Sequence, residues 1–145
     1  MRIPILLAAT LATAPVQASG GIWCSSEDGP VKIELQAGVT HGMGFAVFDL
    51  RATAETEDKK VREDLRNSSF GKSELAQYWF RDGEIRVGFY REQATDPFGS
   101  VEVVIRANAD DEPSYSGDYT FTAYDNAGGK GVEVVHKGKI NCGAE

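Results

Sequence analysis

Hydrophobic and polar residues alternate along most of the chain after residue 18. Val31, Ile33 and Leu35 are separated by polar residues. The same period of two runs through 46–54, 101–107, 115–123 and 132–142. In 46–54 it predicts one buried face, formed by Ala46, Phe48, Leu50, Ala52 and Ala54. This pattern is typical of β-strands, and polar outer faces favour antiparallel pairing. We therefore predict an all-β, single-domain antiparallel β-barrel or sandwich of about seven strands; alternation does not separate the two.

Residues 56–74 interrupt the alternation. The segment is rich in charge, Thr56 is a suitable helix cap, and Val61 and Leu65 are spaced four apart. An apolar face only two residues wide supports at most a short exposed helix. One short helix and a charged loop both remain open here.

A β-hairpin is predicted around Asp82-Gly83, because a type I′ turn takes positive φ at both of its positions. In the resulting register Trp79 faces Arg86 and Gln77 faces Gly88. One face of the hairpin is then expected to be core, with Ala76, Tyr78, Phe80, Ile85, Val87 and Phe89. The opposite face carries Leu75, Gln77, Trp79, Arg81, Glu84, Arg86, Gly88 and Tyr90.

This opposite face is the candidate binding surface, since Trp and Arg are enriched at interface hot spots. We expect the Arg86 guanidinium above the Trp79 indole, a contact that contributes about 0.5–1 kcal/mol when exposed. An Arg81–Glu84 ion pair is also expected, and Gly88 leaves space beside Gln77. The candidate binding residues are Gln77, Trp79, Arg86 and Tyr90. The alternative is that residues 56–74 cover Trp79 and Tyr90, which would then be packing residues only.

The first 18 residues have the pattern of an export signal. Arg2 precedes a mostly apolar stretch, and Val16-Gln17-Ala18 fits the pattern before a signal-peptidase cut. The apolar stretch is shorter than the roughly 20 residues of a membrane-spanning helix. We predict a signal peptide over 1–18, a single β domain over 19–145, and a soluble periplasmic or secreted product.

The two cysteines, Cys24 and Cys142, lie near opposite ends of the predicted domain. In an oxidising compartment they are expected to form a disulfide, with two free thiols as the alternative. The sequence contains no Cys-x-x-Cys redox motif. Two sulfurs and two distant histidines also fit a zinc site poorly.

Acidic residues outnumber basic ones. Removing residues 1–18 takes away Arg2 and no acid, so the formal charge changes from −7 to −8. This argues against nucleic acid and anionic membrane as partners. It suits a basic partner, which the long-range field would attract.

Other candidate chemistry is sparse. His41 and Met43 lie in a glycine-rich stretch that is predicted to be a loop without a metal role. The alternative is that the two side chains bind copper. His136 alternates with Val134 and Cys142, which places it near the core edge as a structural residue. No motif pairs a nucleophile with a base, so we predict no enzyme, no catalytic residue, no cofactor and no metal.

The stretch YWFRDGEIRV and the cysteines near both ends resemble the small exported β-barrel inhibitors of lysozyme. Their Ser-Gly-x-x-Tyr inhibitor loop is missing, so the resemblance transfers no residue roles. We expect an exported binding module that acts through protein–protein or envelope-component contact. The alternatives are a carrier with an apolar ligand inside the barrel and a lysozyme-inhibitor-like protein.

Overall fold

The computed structural model describes residues 19–40, 46–111 and 113–145, and the predicted signal peptide lies outside them. These residues form one antiparallel sheet that curls into a nearly closed barrel. No helix among them has the length and apolar character to cross a bilayer. The strands are β1 (Ser19–Ser26), β2 (Val31–Thr40), β3 (Val47–Thr56), β4 (Asn67–Phe70), β5 (Leu75–Arg81), β6 (Glu84–Glu92), β7 (Gly99–Asp111), β8 (Ser114–Asp125) and β9 (Val132–Ala144).

The all-β prediction is confirmed, and the barrel-like sheet decides between barrel and sandwich. In the part of the chain that the structure describes, the sheet has nine strands rather than about seven. The two additional strands are β1, which precedes the first predicted alternation, and β4, which lies in the segment predicted as a helix or charged loop. Two 3₁₀ turns, Glu63–Leu65 and Lys72–Glu74, take the place of the short helix.

The sheet order is β4-β3-β2-β1-β9-β8-β7-β6-β5. β4 pairs with Ala52–Glu55 of β3, and after the Lys72–Glu74 turn the chain pairs with β6 as β5. Phe70 of β4 packs against Phe89 of β6, with ring centroids 5.3 Å apart. One segment therefore bridges both edges of the sheet. Beyond β4, no described strand lies between Val47–Arg51 of β3 and β5; we call this gap the seam.

The barrel interior is filled with apolar side chains that alternate inward along every long strand. Tyr119, Phe89 and Phe121 are the largest fully buried side chains. Smaller aliphatic residues such as Ile33 and Ile105 fill the space between them. This is the expected core of a small barrel.

Residues 57–66 close one end of the barrel, which we call the base. Val61 and Leu65 are buried against the core. The Arg62 guanidinium bonds Asp64 and Asp125, each at 2.6 Å, and also donates to the Phe98 carbonyl oxygen. These bonds tie the segment to the end of β8, away from the turn of the β5–β6 hairpin.

A β-bulge in β3 reverses part of its predicted facing. Arg51 pairs with Gln36 but Phe48 pairs with Gly38, so β3 holds an extra residue between the two pairs. Asp49 in this bulge has a φ of 47°. Val47 is consequently buried while Ala46 and Phe48 are exposed, and the prediction that Ala46 and Phe48 share the face of Leu50 is wrong. Shifting a strand by one residue exchanges its faces.

The predicted disulfide between Cys24 and Cys142 is present. The two residues are direct partners in the β1–β9 pairing and both are buried. The bond joins positions 118 residues apart.

Replacing both cysteines with alanine should lower the free energy of unfolding by about 2–5 kcal/mol, because a bond closing so long a loop restricts the unfolded chain. Urea unfolding of the oxidised wild type, the reduced wild type and the double variant measures this. The reduced wild type and the double variant should unfold at similar urea concentrations, both lower than that of the oxidised wild type. A double variant as stable as the oxidised protein would contradict the prediction.

Gly117→Ala should destabilise the barrel by about 1–3 kcal/mol or more, as overpacking does. A Cβ there would lie 1.9 Å from the backbone oxygen of Arg106 and 2.6 Å from the Cα of Ala107, and backbone cannot swing aside. Gly128→Ala is the matched control, since a Cβ at that position meets nothing within 4 Å. Thermal unfolding should show a large loss for the first variant only; equal melting temperatures would refute the argument.

Candidate binding surface

The hairpin forms as predicted near its turn. Asp82 and Gly83 take φ values of 57° and 71°, the positive values of a type I′ turn. The pairs of Trp79 with Arg86 and of Gln77 with Gly88 match the expected register. The four predicted binding residues therefore lie on one outer face of two adjacent strands, which we call the hairpin face.

The register fails at the far end of the hairpin, where a bulge at Ala76 intervenes. Leu75 pairs with Phe89 instead of Tyr90. Leu75 consequently packs against the core and Ala76 is exposed. The predictions of an outward Leu75 and a buried Ala76 are both wrong, because one extra residue exchanges the two faces.

Tyr78 was predicted to be core, but 43% of it is exposed. Its ring packs against that of Phe80, which is itself only partly buried, with centroids 5.7 Å apart. Both residues lie on β5, which borders the seam. Their cross-strand partners Val87 and Ile85 on β6 are fully buried. Tyr78 is exposed because no described strand covers this edge of β5.

The charged residues of the hairpin face contact different partners from those predicted. The Arg81 guanidinium, not that of Arg86, lies over the Trp79 indole, 4.5 Å from the ring centroid. Arg86 instead donates to Glu84 at 2.7 Å. Both contacts run along one strand between residues two apart, whereas the prediction had both crossing between strands. Residues two apart lie about 7 Å from each other on the same strand face, within reach of a long arginine.

Gln77 fills the space that Gly88 provides. A Cβ at Gly88 would lie 2.9 Å from the Gln77 Cγ. The missing side chain therefore accommodates Gln77 itself and leaves no space for a bound group beside it.

The aromatic residues of the hairpin face are open to solvent. Trp79 is 43% and Tyr90 41% exposed. The Tyr90 hydroxyl donates to Glu92 at 3.0 Å, and burial together with this carboxylate raises the pKa of Tyr90. Residues 57–66 pack at the base, 67–74 form β4 and the second 3₁₀ turn, and both rings stay exposed, so the segment 56–74 does not cover them as the alternative expects.

Positive charge accumulates on this face although the chain is acidic. Arg106 of β7 is the cross-strand partner of Arg86 and also points outward. Arg81 lies on the adjacent strand β5, Glu84 is bound by Arg86, and Asp118, the partner of Arg106 on β8, is bound by Lys139. Two arginines paired across strands repel each other, so the arrangement favours an anionic group on this surface.

A second aromatic surface escaped the sequence analysis. Trp23 of β1 lies across Gly143, its partner on β9, where a Cβ would be 2.2 Å from the indole. Beside it runs a shallow groove of about 410 Å³ that also contacts Gln36 and Arg51. A tryptophan paired across strands with a glycine would have indicated this surface, but the pairing is known only from the β1–β9 register.

A cavity of about 320 Å³ opens at the other end of the barrel, which we call the mouth. Its apolar lining comes from Ile22, Val39, Phe80, Ile85 and Tyr115. Charged residues of the hairpin turn, Arg81, Asp82 and Glu84, also border it.

His136 lies at the core edge, as alternation predicted, and links β9 to the base. Its Nε2 is 2.9 Å from an Asp58 carboxylate oxygen, and its ring stacks on Phe121 with centroids 6.3 Å apart. These contacts describe a structural histidine. His41 and Met43 fall outside the described residues. Within 19–40, 46–111 and 113–145, no three His, Cys, Asp or Glu side chains are grouped to hold a metal ion.

The stability that Asp58 contributes should vanish in acid. The backbone N–H of Lys60 and the His136 ring hold the pKa of Asp58 below its ordinary value of about 3.9. A lowered folded-state pKa stabilises the protein above the unfolded-state pKa, and this contribution is lost as the pH falls through the folded-state value. The stability difference between wild type and Asp58→Asn should therefore be largest near pH 5 and shrink below about pH 4.

Urea unfolding at a series of pH values from about 5 down to about 3 measures that difference. Glu57→Gln, which removes the neighbouring exposed acid, is the control and should show a smaller change. A difference for Asp58→Asn that stays constant with pH would refute the prediction.

We compared the chain with protein-family models, with curated proteins and with solved structures, and none of the three comparisons found a match. The function is therefore inferred from the residues of this chain and their geometry.

Proposed function

We propose that the chain is an exported, non-catalytic binding protein that contacts another protein through the hairpin face. One observation carries the proposal: Trp79 and Tyr90 are both large, both about two-fifths exposed, and lie on one face, with Arg86 directly opposite Trp79. Tryptophan, tyrosine and arginine are the residues that most often dominate interface energetics. Gln77, held over Gly88, supplies a polar group at the edge of this patch.

Export to the periplasm or the cell exterior is part of the proposal. It is supported by the signal-peptide pattern of residues 1–18 and by the Cys24–Cys142 bond. Disulfides of this kind persist in oxidising compartments and are rare in the cytosol.

The rigid placement of the patch supports a binding role further. The tight turn and the β6–β7 pairing hold the backbone of the hairpin. The Trp79 ring is held by the Arg81 guanidinium, and the Tyr90 hydroxyl by Glu92. Side chains already fixed in place lose less conformational entropy when a partner binds.

A carrier of a small apolar ligand is the second candidate, and the mouth cavity favours it. At about 320 Å³ this cavity is at the lower end of the volumes of small-molecule sites. Its position at the opening of a small barrel is also typical of such sites. Three of the largest aromatic residues, Phe89, Tyr119 and Phe121, already fill the barrel below it, which limits the ligand to the mouth.

The proposal is tested by affinity capture with the mature protein from Ser19 as bait. Exported proteins, envelope polymers and a panel of lysozymes are the prey. The test variant is Trp79→Ala with Arg86→Ala. The control is Trp23→Ala with Lys137→Ala, which removes an equally exposed tryptophan and a cation elsewhere on the barrel.

A partner of the hairpin face should bind the wild type and the control, and bind the test variant about 30-fold or more weakly, as loss of a hot spot implies. Circular dichroism establishes that all three proteins are folded. Equal binding by the test and control variants would exclude the hairpin face. Binding of an apolar dye by the wild type, the test variant and the control would favour the carrier, provided that Ile85→Phe, which narrows the mouth, abolishes it.

A further inference from the structure

Among the described residues, β5 has a neighbouring strand on one edge only. It pairs with β6 and with no other described strand. The hairpin turn hydrogen-bonds Arg81 to Glu84, so the backbone of Arg81 faces β6. Backbone direction alternates along an antiparallel strand. The N–H and C=O groups of Tyr78 and Phe80 therefore point away from β6, into the seam.

This edge lacks the features with which proteins usually block further strand pairing. Edges are normally protected by shortness, proline, bulges or inward charges. β5 spans seven residues, contains no proline, and packs Phe80 against the core with the exposed Tyr78 ring beside it. Its bulge lies at the opposite end from these residues, at Ala76. An added strand would cover the exposed ring of Tyr78.

The other side of the seam is also unpaired. β4 pairs only with Ala52–Glu55, which leaves Val47–Arg51 of β3 without a strand on that side among the described residues. Phe48 and Arg51 point outward there and are exposed. Asp49, in the bulge, is the acid on this side.

The charges around the seam favour an acidic occupant. Arg81 on β5 borders it, with Arg86 and Arg106 behind Arg81 on the next two strands. Glu84 is bound by Arg86, and Asp118, the cross-strand partner of Arg106 on β8, is bound by Lys139. At about 0.15 M salt the screening length is about 8 Å, so these local arginines outweigh the distributed negative charge of the chain.

We propose that the free edge of β5 accepts an extended acidic segment of another protein as an additional strand. The segment is about five to seven residues long, to match Val47–Arg51 and β5. Its backbone bonds Tyr78 and Phe80, its apolar side chains cover their rings, and its carboxylates meet Arg81. This inference rests on the proposed function, because it assigns the partner's chemistry at the same hairpin.

A second copy of this chain fits the edge less well. It would bring the same arginines to face Arg81, and like charges repel each other. A foreign acidic segment brings carboxylates to these arginines instead.

The probe is a short peptide, as long as β5, in which glutamate alternates with valine. Amide hydrogen exchange of the mature protein is measured with and without it. The N–H groups of Tyr78 and Phe80 should become protected, while those of Gln77 and Trp79, which already face β6, should not change. A peptide with lysine in place of glutamate should bind about tenfold or more weakly, since its charges face the arginines.

A matched pair of variants isolates the backbone bond. Tyr78→Pro and Tyr78→Thr both remove the ring, but only proline removes the outward N–H, a loss that an edge strand tolerates. The threonine variant should bind the glutamate peptide at least about tenfold more tightly than the proline variant. If the proline variant does not fold, a peptide N-methylated on its pairing edge replaces it and should not bind the threonine variant.

Four outcomes would overturn the inference: no protection of Tyr78 and Phe80, equal binding of the lysine peptide, equal binding by the two variants, or concentration-dependent self-pairing through this edge. Failure here is distinguishable from failure of the proposed function. A protein partner that is lost with Trp79→Ala and Arg86→Ala but binds Tyr78→Pro and Tyr78→Thr equally would uphold the hairpin face and exclude the edge.

Discussion

The pairing of β1 with β9 is the contact on which the rest of the fold depends. Every other neighbouring pair in the sheet joins strands that are consecutive in sequence. β1 to β4 form one meander and β5 to β9 form another, and only the β1–β9 ladder makes them a single sheet. Closing a loop of this length carries a large entropic cost. The Cys24–Cys142 bond lies within that ladder. It therefore offsets the entropic cost of bringing β1 and β9 together.

The two meanders are joined through β1 and β9, so the barrel can close only where their outer strands, β4 and β5, come together. The chain crosses this opening once, as β4 on the edge of β3 and then as β5 on the edge of β6. A single segment cannot pair with both edges along its whole length, so half of the opening remains as the seam. The exposure of Tyr78 and the unpaired backbone of β5 are consequences of this geometry. The surface proposed to bind a partner is therefore a by-product of how the barrel closes.

The net charge of this protein favours a basic partner, whereas the local charge of the hairpin face favours an acidic one. The chain as a whole is acidic, which by itself suits a basic partner. The outward residues of β5, β6 and β7 bring Arg81, Arg86 and Arg106 together, and Glu84 is bound within the group. Short-range contacts at physiological salt depend on the nearest charges, because more distant ones are screened. The partner's chemistry is thus better inferred from the hairpin face than from composition.

The amino-acid sequence by itself determined most of the strands, the hairpin turn and the disulfide partners. These features depend on local chemistry: alternation with period two, positive φ at Asp82-Gly83, and two cysteines in one chain. It also grouped Gln77, Trp79, Arg86 and Tyr90 on one face, since the turn sets the register around it. The facing of Phe48, Leu75 and Ala76 was decided only in three dimensions. A bulge inserts one residue where the neighbouring strand requires it, and alternation alone cannot locate that residue.

The tertiary structure also decided the exposure of Tyr78 and the partners of Arg81 and Arg86. Tyr78 has the sequence pattern of a core residue, but its burial depends on whether another strand lies beside β5. β4 was missed because a four-residue strand in a charged segment carries too little alternation to detect. Arg81 and Arg86 each had more than one neighbour within reach, and the choice between them depended on side-chain packing. Local pattern specifies which way a strand faces, whereas the neighbours that cover it are specified by the whole fold.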